Sequence, residues 1–384
     1  MSYKPLAFVR AGICLISYNL RTFVGTGICL ISYKTPAIIV AGRRPMWNKT
    51  LAFVVAVLLI LASLPLAACS LTSHSGKPGE HEGAVLVRVV SMRGPTSIGL
   101  VDFINEAGGD TGTASTLVND FRFNIVGTAD EILPGLINGN YDIALVPANI
   151  AAVLYQRTQG EIQVIDINTL GVLYVVSADT SIKTFQDLRG RRVLMTGKGT
   201  TPEYVMNSLL AFGGITDITL EYRSEATELA AVLAADPNAI AVLPEPYVTA
   251  VTSKEPSLSV RISLTQAWDT LATDGSQLVT GVTVVRRSFA DEHPEALAEF
   301  IAHRSASVAA VTADPVRAGQ LVANLGIIDN ATVAAKAIPR CNLVCITGLE
   351  MKQVLNGYLT ALFKQDPASI GGALPGDDFY YIGS

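Results

Sequence analysis

The chain has 384 residues, 49% hydrophobic and 16% charged, with a formal net charge of −5. That length and apolar content are enough for two ordinary domains with real cores. The acidic balance comes with no basic stripe to follow a phosphate backbone, which argues against a nucleic-acid partner.

Taken in chain order, residues 1–45 carry a repeat. Gly12-Ile13-Cys14-Leu15-Ile16-Ser17-Tyr18 recurs as Gly27-Ile28-Cys29-Leu30-Ile31-Ser32-Tyr33, and Phe8-Val9 recurs as Phe23-Val24. Two such short copies cannot bury a core. Met46 opens a complete export signal by itself, so residues 1–45 read as a mis-assigned upstream extension. The alternative is an extra membrane segment.

Residues 46–68 then read as a signal peptide. Arg43, Arg44 and Lys49 put positive charge before the apolar run Leu51–Leu66, which ends in Leu66-Ala67-Ala68-Cys69. The run is shorter than the ~20 apolar residues of a membrane-spanning helix. A charged start, an apolar middle and small residues before a cut site describe a secretory signal. The Leu-Ala-Ala-Cys ending resembles the bacterial lipobox, in which Cys69 takes the lipid; an uncut anchor with an idle Cys69 is the other reading. Residues 69–83 are polar and rich in Gly and Ser, a flexible tether. His74 and His81 lie in it as solvated residues rather than a metal tract.

The folded part begins near Ala84 and alternates strand with helix. Val85–Val90 is a β-branched run, followed by Arg93-Gly94-Pro95-Thr96-Ser97 and a helix over Ile98–Glu106. Phe121–Val126 leads through Gly127-Thr128 into a helix over Ala129–Asn138. Tyr141–Val146 leads through Pro147-Ala148-Asn149 into a helix ending near Gln156. Arg192–Met195 leads through Gly197-Lys198-Gly199-Thr200-Thr201-Pro202 into a helix over Glu203–Phe212. Ala239–Leu243 leads through Pro244-Glu245-Pro246 into a helix from Tyr247. This rhythm predicts an α/β fold with parallel strands.

The junctions carry the functional signal. Thr128 to Glu131 and Thr200 to Glu203 have the spacing of capping boxes. Pro202 and Pro246 suit first helical turns. Gly94, Gly127, Gly197 and Gly199 permit close approach to the backbone. Ligands of open α/β sheets bind beyond the carboxyl ends of strands, so five such junctions predict one convergent site. Read singly, each is an ordinary connection. No P-loop pattern and no complete dinucleotide fingerprint occurs. Glu245, flanked by prolines at a strand end, is either an acceptor for a ligand amine or a surface carboxylate.

The segments VVSMRGPTSIGLVDFI, YDIALVPANIA, TFQDLRGRRVLMTGKGTTPEYV, AVLPEPYV and HPEALAEFIAHRSASV resemble the substrate-binding proteins of nitrate/sulfonate/taurine-type ABC importers, a family that includes thiamine-precursor binding proteins. The resemblance covers Val85 to Leu362. It implies a periplasmic-binding-protein type II-like fold, two lobes with a hinge and an interlobe cleft. Lobe I would run over 84–178 and return over 277–384, with lobe II over 179–276. Carried onto this sequence, Pro95, Thr96, Ser97, Thr128, Asn149, Gly199, Thr200, Thr201 and Glu245 would line the cleft. Tyr247 and Trp268 are candidates either for stacking on a flat ligand or for core packing.

The implied partners are a small-molecule ligand, an ABC permease and its ATPase, and the membrane through the lipid anchor. The chain would act as a monomer on the extracytoplasmic face, with no cofactor and no metal. Helix N-termini favour an anionic ligand whereas Glu245 favours an amine, so the ligand stays open. A lipid-anchored sensor without transport, and an enzyme on the same bilobal fold, are the rival functions. Against the enzyme, His293 and His303 fall in or beside a late helix rather than at a strand end. Cys341 and Cys345 are either a disulfide or two buried thiols.

Overall fold

The computed structural model describes residues 83–108 and 116–383. The repeat, the signal peptide, Cys69 and the tether up to residue 82 lie outside the described residues. The described residues fall within one compact unit, Ser75–Ser384. It holds every hydrophobic cluster described below, so it carries what a domain needs to fold alone.

In that unit, β1 (Leu86–Met92) is followed by α1 (Pro95–Ile98) and α2 (Val101–Ala107). The single helix expected over Ile98–Glu106 is therefore two. Pro95 sits at the first helical position and starts α1 earlier, and the chain breaks at Gly99-Leu100 before α2. Next come β2 (Asp120–Val126), α3 (Ala129–Ile137), β3 (Ile143–Pro147), α4 (Ala148–Arg157) and β4 (Ile162–Leu170). The chain then runs through β5 (Leu173–Ser177), β6 (Arg192–Met195), α5 (Thr201–Gly213), β7 (Thr219–Tyr222) and α6 (Ala226–Ala235). It continues with β8 (Ile240–Pro244), α7 (Tyr247–Lys254), β9 (Ser259–Ser263) and α8 (Leu264–Leu271). The last part contains β10 (Val279–Arg286), α9 (Arg287–Glu292), α10 (Pro294–Ala313), α11 (Pro315–Asn324), α12 (Ala331–Ala337), β11 (Leu343–Ile346) and α13 (Gly348–Gln365).

The strands form two sheets, ordered β11-β4-β10-β3-β1-β2 and β7-β6-β8-β5-β9. Both are mixed, which corrects the expectation of parallel sheets. β1 is parallel to β2 and β3, and β6 to β7 and β8. β10 runs antiparallel to β3 and β4, and β5 antiparallel to β8 and β9. The reversal follows from the connections: β4 leaves the first sheet directly for the second, and β10 re-enters it from the opposite direction.

The passage between sheets falls at Gly171-Val172, because β5 already pairs with β8 and β9. β5, which falls inside the expected first-lobe span of 84–178, thus belongs to the second sheet. A Cβ on Gly171 would meet the Thr265 and Leu278 side chains, which would have to move to admit it. β10 rejoins the first sheet at Val279.

Ile143–Val146 of β3 are buried without alternation, as expected where helices cover both faces of a sheet. One cluster packs Phe103, Phe121, Leu145, Leu297 and Phe300 on one face of the first sheet. A larger one joins both lobes, from Val164 and Val284 through Trp268 and Tyr358 to Val193 and Val242. Each large side chain buried in this way contributes roughly 1.5–3 kcal/mol.

Candidate functional site

The carboxyl ends of β1 and β3 in the first lobe, and of β6 and β8 in the second, carry the loops singled out from sequence. In the second lobe, Gly197 and Gly199 take φ values of 80° and 74°, a region where a side chain is strained. The loop between them exposes Lys198. Its Nζ lies 5.7 Å from the centre of the Tyr222 ring, and no carboxylate of the described residues pairs with it.

Behind this tip stands α5. Thr200 does not form the expected capping box: its hydroxyl donates to the Gly197 carbonyl at 2.7 Å, and Glu203 accepts from the Gly199 N–H. Glu203 therefore reaches one residue further back than the box requires. Its other oxygen accepts the Tyr222 hydroxyl at 2.7 Å. Burial, and then this carboxylate, push the Tyr222 phenol upward. The box at Thr128 does form, with Glu131 accepting the Thr128 N–H at 2.9 Å and the Gly127 N–H at 3.1 Å.

Across the gap, Asn149 is buried at the start of α4. Its Oδ1 accepts the Thr201 hydroxyl at 3.1 Å, a hydrogen bond from one lobe to the other. Arg93, Gly127, Thr128, Lys198, Gly199, Thr200 and Tyr247 are exposed. Pro95 is half-buried, whereas Thr96 and Ser97 are buried. Their hydroxyls turn inward, Thr96 donating to the Met92 carbonyl at 2.7 Å and Ser97 to the same carbonyl at 2.5 Å. These two brace the β1–α1 turn and offer no free hydroxyl to a ligand.

Two sequence-derived candidates lie away from solvent. Trp268 has no exposed surface; its indole N–H donates to the Ser276 hydroxyl at 3.1 Å, and its ring meets Phe212 and Tyr358. It is a core residue, because the amphipathic helix α8 turns its apolar face inward. Glu245 is neither a surface carboxylate nor one facing open space. Its side chain has no exposed surface, and Arg340 Nε donates to it at 2.6 Å. Thr249 supplies a backbone N–H at 3.2 Å and a hydroxyl at 3.0 Å. Arg340 was not singled out from sequence, since nothing local in Ile338-Pro339-Arg340 points to a carboxylate 95 residues away.

Cys341 and Cys345 are free thiols, the first buried and the second half-buried. Cys341 closes a 3₁₀ turn and Cys345 lies within β11, with Asn342 between them at a φ of 46°. Burial pushes the Cys345 thiol up to about 11. His293 precedes α10, and His303 Nδ1 lies 3.0 Å from Glu106 on the outer helices of the first lobe. A cavity of about 250 Å³ lies at the other end of the first sheet, among Leu136, Arg157, Glu161, Ile162, Arg286 and Ser288. It is separated from the cleft by the length of β4.

Among the described residues no helix is long and apolar enough to cross a membrane. A search of curated protein sequences gives no match. Solved structures share the fold. An ABC transporter protein from Parabacteroides distasonis is 23% identical, over 77% of this chain and 99% of that one, with a TM-score of 0.65. The periplasmic aliphatic sulphonate binding protein of Escherichia coli is 16% identical over 74% and 88%, with a TM-score of 0.57. The alkanesulfonate-binding protein of Xanthomonas axonopodis pv. citri, bound to MOPS, is 14% identical over 76% and 95%, with a TM-score of 0.52. The family profile described as ABC transporter, phosphonate, periplasmic substrate-binding protein matches residues 114–307. The chain belongs to this family of periplasmic substrate-binding proteins of ABC transporters.

Proposed function

We propose that the protein is a lipid-anchored, extracytoplasmic receptor that passes a small anionic organic solute to an ABC permease and its ATPase by closing two lobes over it. Family membership supports the transport role over a sensor or an enzyme. The Leu66-Ala67-Ala68-Cys69 ending supports anchoring through Cys69.

One observation supports an anionic ligand. Glu245, the feature that pointed to an amine, is already occupied by Arg340 and Thr249. What supports an anion instead is exposed Lys198 beside the N-terminal turn of α5, where Glu203 takes the Gly199 N–H and the Tyr222 hydroxyl and leaves Lys198 without a carboxylate partner among the described residues. A 13-residue helix carries a partial positive charge at that end. Asn149 and Thr201 hydrogen-bond from opposite lobes, which supports a site between them. On this reading Thr128, Gly199, Thr200 and Tyr247 line that site, with the exposed Tyr247 ring available to a ligand. A ligand that touches both lobes in the closed form alone shifts the population toward closure.

The reading is tested on the Ser75–Ser384 unit by thermal shift against methylphosphonate, alkanesulfonates, dicarboxylates, amines and pyrimidines. A ligand at 100 times its Kd stabilises by about 2.7 kcal/mol. The expected hits are anionic, and their shift falls in Lys198→Ala. Stabilisation by amines alone would refute the anionic assignment.

A further inference from the structure

Arg340 stands where the two lobes meet. It ends the 3₁₀ turn Ile338–Arg340, between α12 and β11. β11 pairs with β4 of the first sheet. Its neighbours Ile338, Cys341 and Leu343 share a hydrophobic cluster with Ile98 and Val101 of the same lobe. Its side-chain partners belong to the other lobe. Nε donates to Glu245 at 2.6 Å, and one terminal nitrogen donates to the Thr249 hydroxyl at 2.6 Å. The Tyr174 hydroxyl of β5 donates back to the Arg340 carbonyl at 2.7 Å. α12 packs on α7 beside this group.

The burial is lopsided. The Arg340 side chain keeps 38% of its surface while Glu245 keeps none. Glu245 and Thr249 sit on one turn; their side chains hydrogen-bond to each other and to Arg340, while the Glu245 N–H donates to the Val172 carbonyl on the crossover at 3.0 Å. Displacing the lobes by about 1 Å takes the 2.6 Å contacts out of hydrogen-bond range. Glu245 then has no cation and must take up water. A carboxylate without exposed surface is tolerated only while it is paired.

We infer that Arg340 and Glu245 form an ion-pair latch between the lobes, which holds the ligand-free receptor near its closed form. The inference rests on the hinge-closing reading above, but it concerns the empty protein and needs no particular ligand. The two halves of the latch are unequal. Removing Arg340 strands a charge that only opening can hydrate. Neutralising Glu245 leaves a guanidinium already in contact with water.

The test is small-angle scattering on the ligand-free Ser75–Ser384 unit, for wild type, Arg340→Met, Glu245→Gln and the double variant. The expected order of radius of gyration is largest for Arg340→Met, smaller for Glu245→Gln, with the double variant close to Glu245→Gln. Circular dichroism and the emission of Trp268 check that each variant is folded. Should Arg340→Met fail to fold, Arg340→Lys replaces it: a compact Arg340→Lys alongside an expanded Glu245→Gln supports the latch. Equal radii for wild type and all folded variants overturn it. Thermal shift with methylphosphonate and methanesulfonate on the same samples separates the two ideas. Equal radii with anion binding intact remove the latch alone, and the expected order of radii without anion binding removes the ligand assignment alone.

Discussion

Asp142 offers the sharpest test of how the first lobe is held. Its carboxylate keeps 1% of its surface and lies just ahead of β3. It accepts the Arg88 backbone N–H at 3.0 Å, Arg88 Nε at 2.9 Å, an Arg88 terminal nitrogen at 2.8 Å, and an Arg286 terminal nitrogen at 2.9 Å. One side chain thus clasps β1, β3 and β10. Asp142→Asn keeps the shape and removes the charge. Hydrogen bonds to charged groups are worth about 1.5–3 kcal/mol each, but the four are not additive. The Arg88 and Arg286 side chains keep 40% and 26% of their surface, so water recovers part of the loss. The expected cost is about 2–4 kcal/mol, a large share of a typical domain stability of about 5–15 kcal/mol.

The pH dependence of this cost has a definite sign. Burial would raise the Asp142 pKa, but the hydrogen bonds from Arg88 and Arg286 outweigh it and hold the carboxyl below its ordinary value. A group depressed in the folded state stabilises above its unfolded pKa, and that contribution is lost as pH falls through the folded value. Urea unfolding of the Ser75–Ser384 unit, followed by circular dichroism, gives the measurement. The difference between wild type and Asp142→Asn should be constant from about pH 8 to 5 and shrink below about pH 4. A cost under about 1 kcal/mol, or one that does not shrink on acidification, refutes the reasoning.

Other outcomes follow from burial and from the sequence. Trp268 is the one tryptophan of the Ser75–Ser384 unit, Trp47 being the other in the chain, and it has no exposed surface. Its emission should be blue-shifted and resist acrylamide until urea unfolds the unit, and Trp268→Ala should cost about 3–5 kcal/mol; ready quenching of the native protein would contradict its place in the core. Mass spectrometry after alkylation should find two thiols, Cys341 and Cys345, both slow to react in the native state and fast in denaturant; a mass short by two hydrogens would establish the disulfide. In cells, wild type should enter the detergent phase on Triton X-114 partition and Cys69→Ser the aqueous phase; identical partition of the two would remove the lipid anchor.

The sequence by itself determined what is written in local chemistry. The β-branched runs, the alternation of strand and helix, the Thr128–Glu131 cap and the glycine-flanked loop at Lys198 each depend on residues a few positions apart, and the strands at 121–126 and 192–195 were legible to within a residue. The family resemblance added the two-lobed plan. Tertiary structure decided everything that depends on residues distant in sequence. Strand direction in the mixed sheets depends on where the chain changes lobe, and that change falls at Gly171-Val172, where the Thr265 and Leu278 side chains pack closely. Trp268 became core because Phe212 and Tyr358 meet it from other helices. Glu245 changed from a ligand acceptor to half of an ion pair because Arg340 arrives from the opposite lobe. Charge and hydrophobicity are properties of a residue, but desolvation and pairing are properties of its surroundings, and those exist only once the chain has folded.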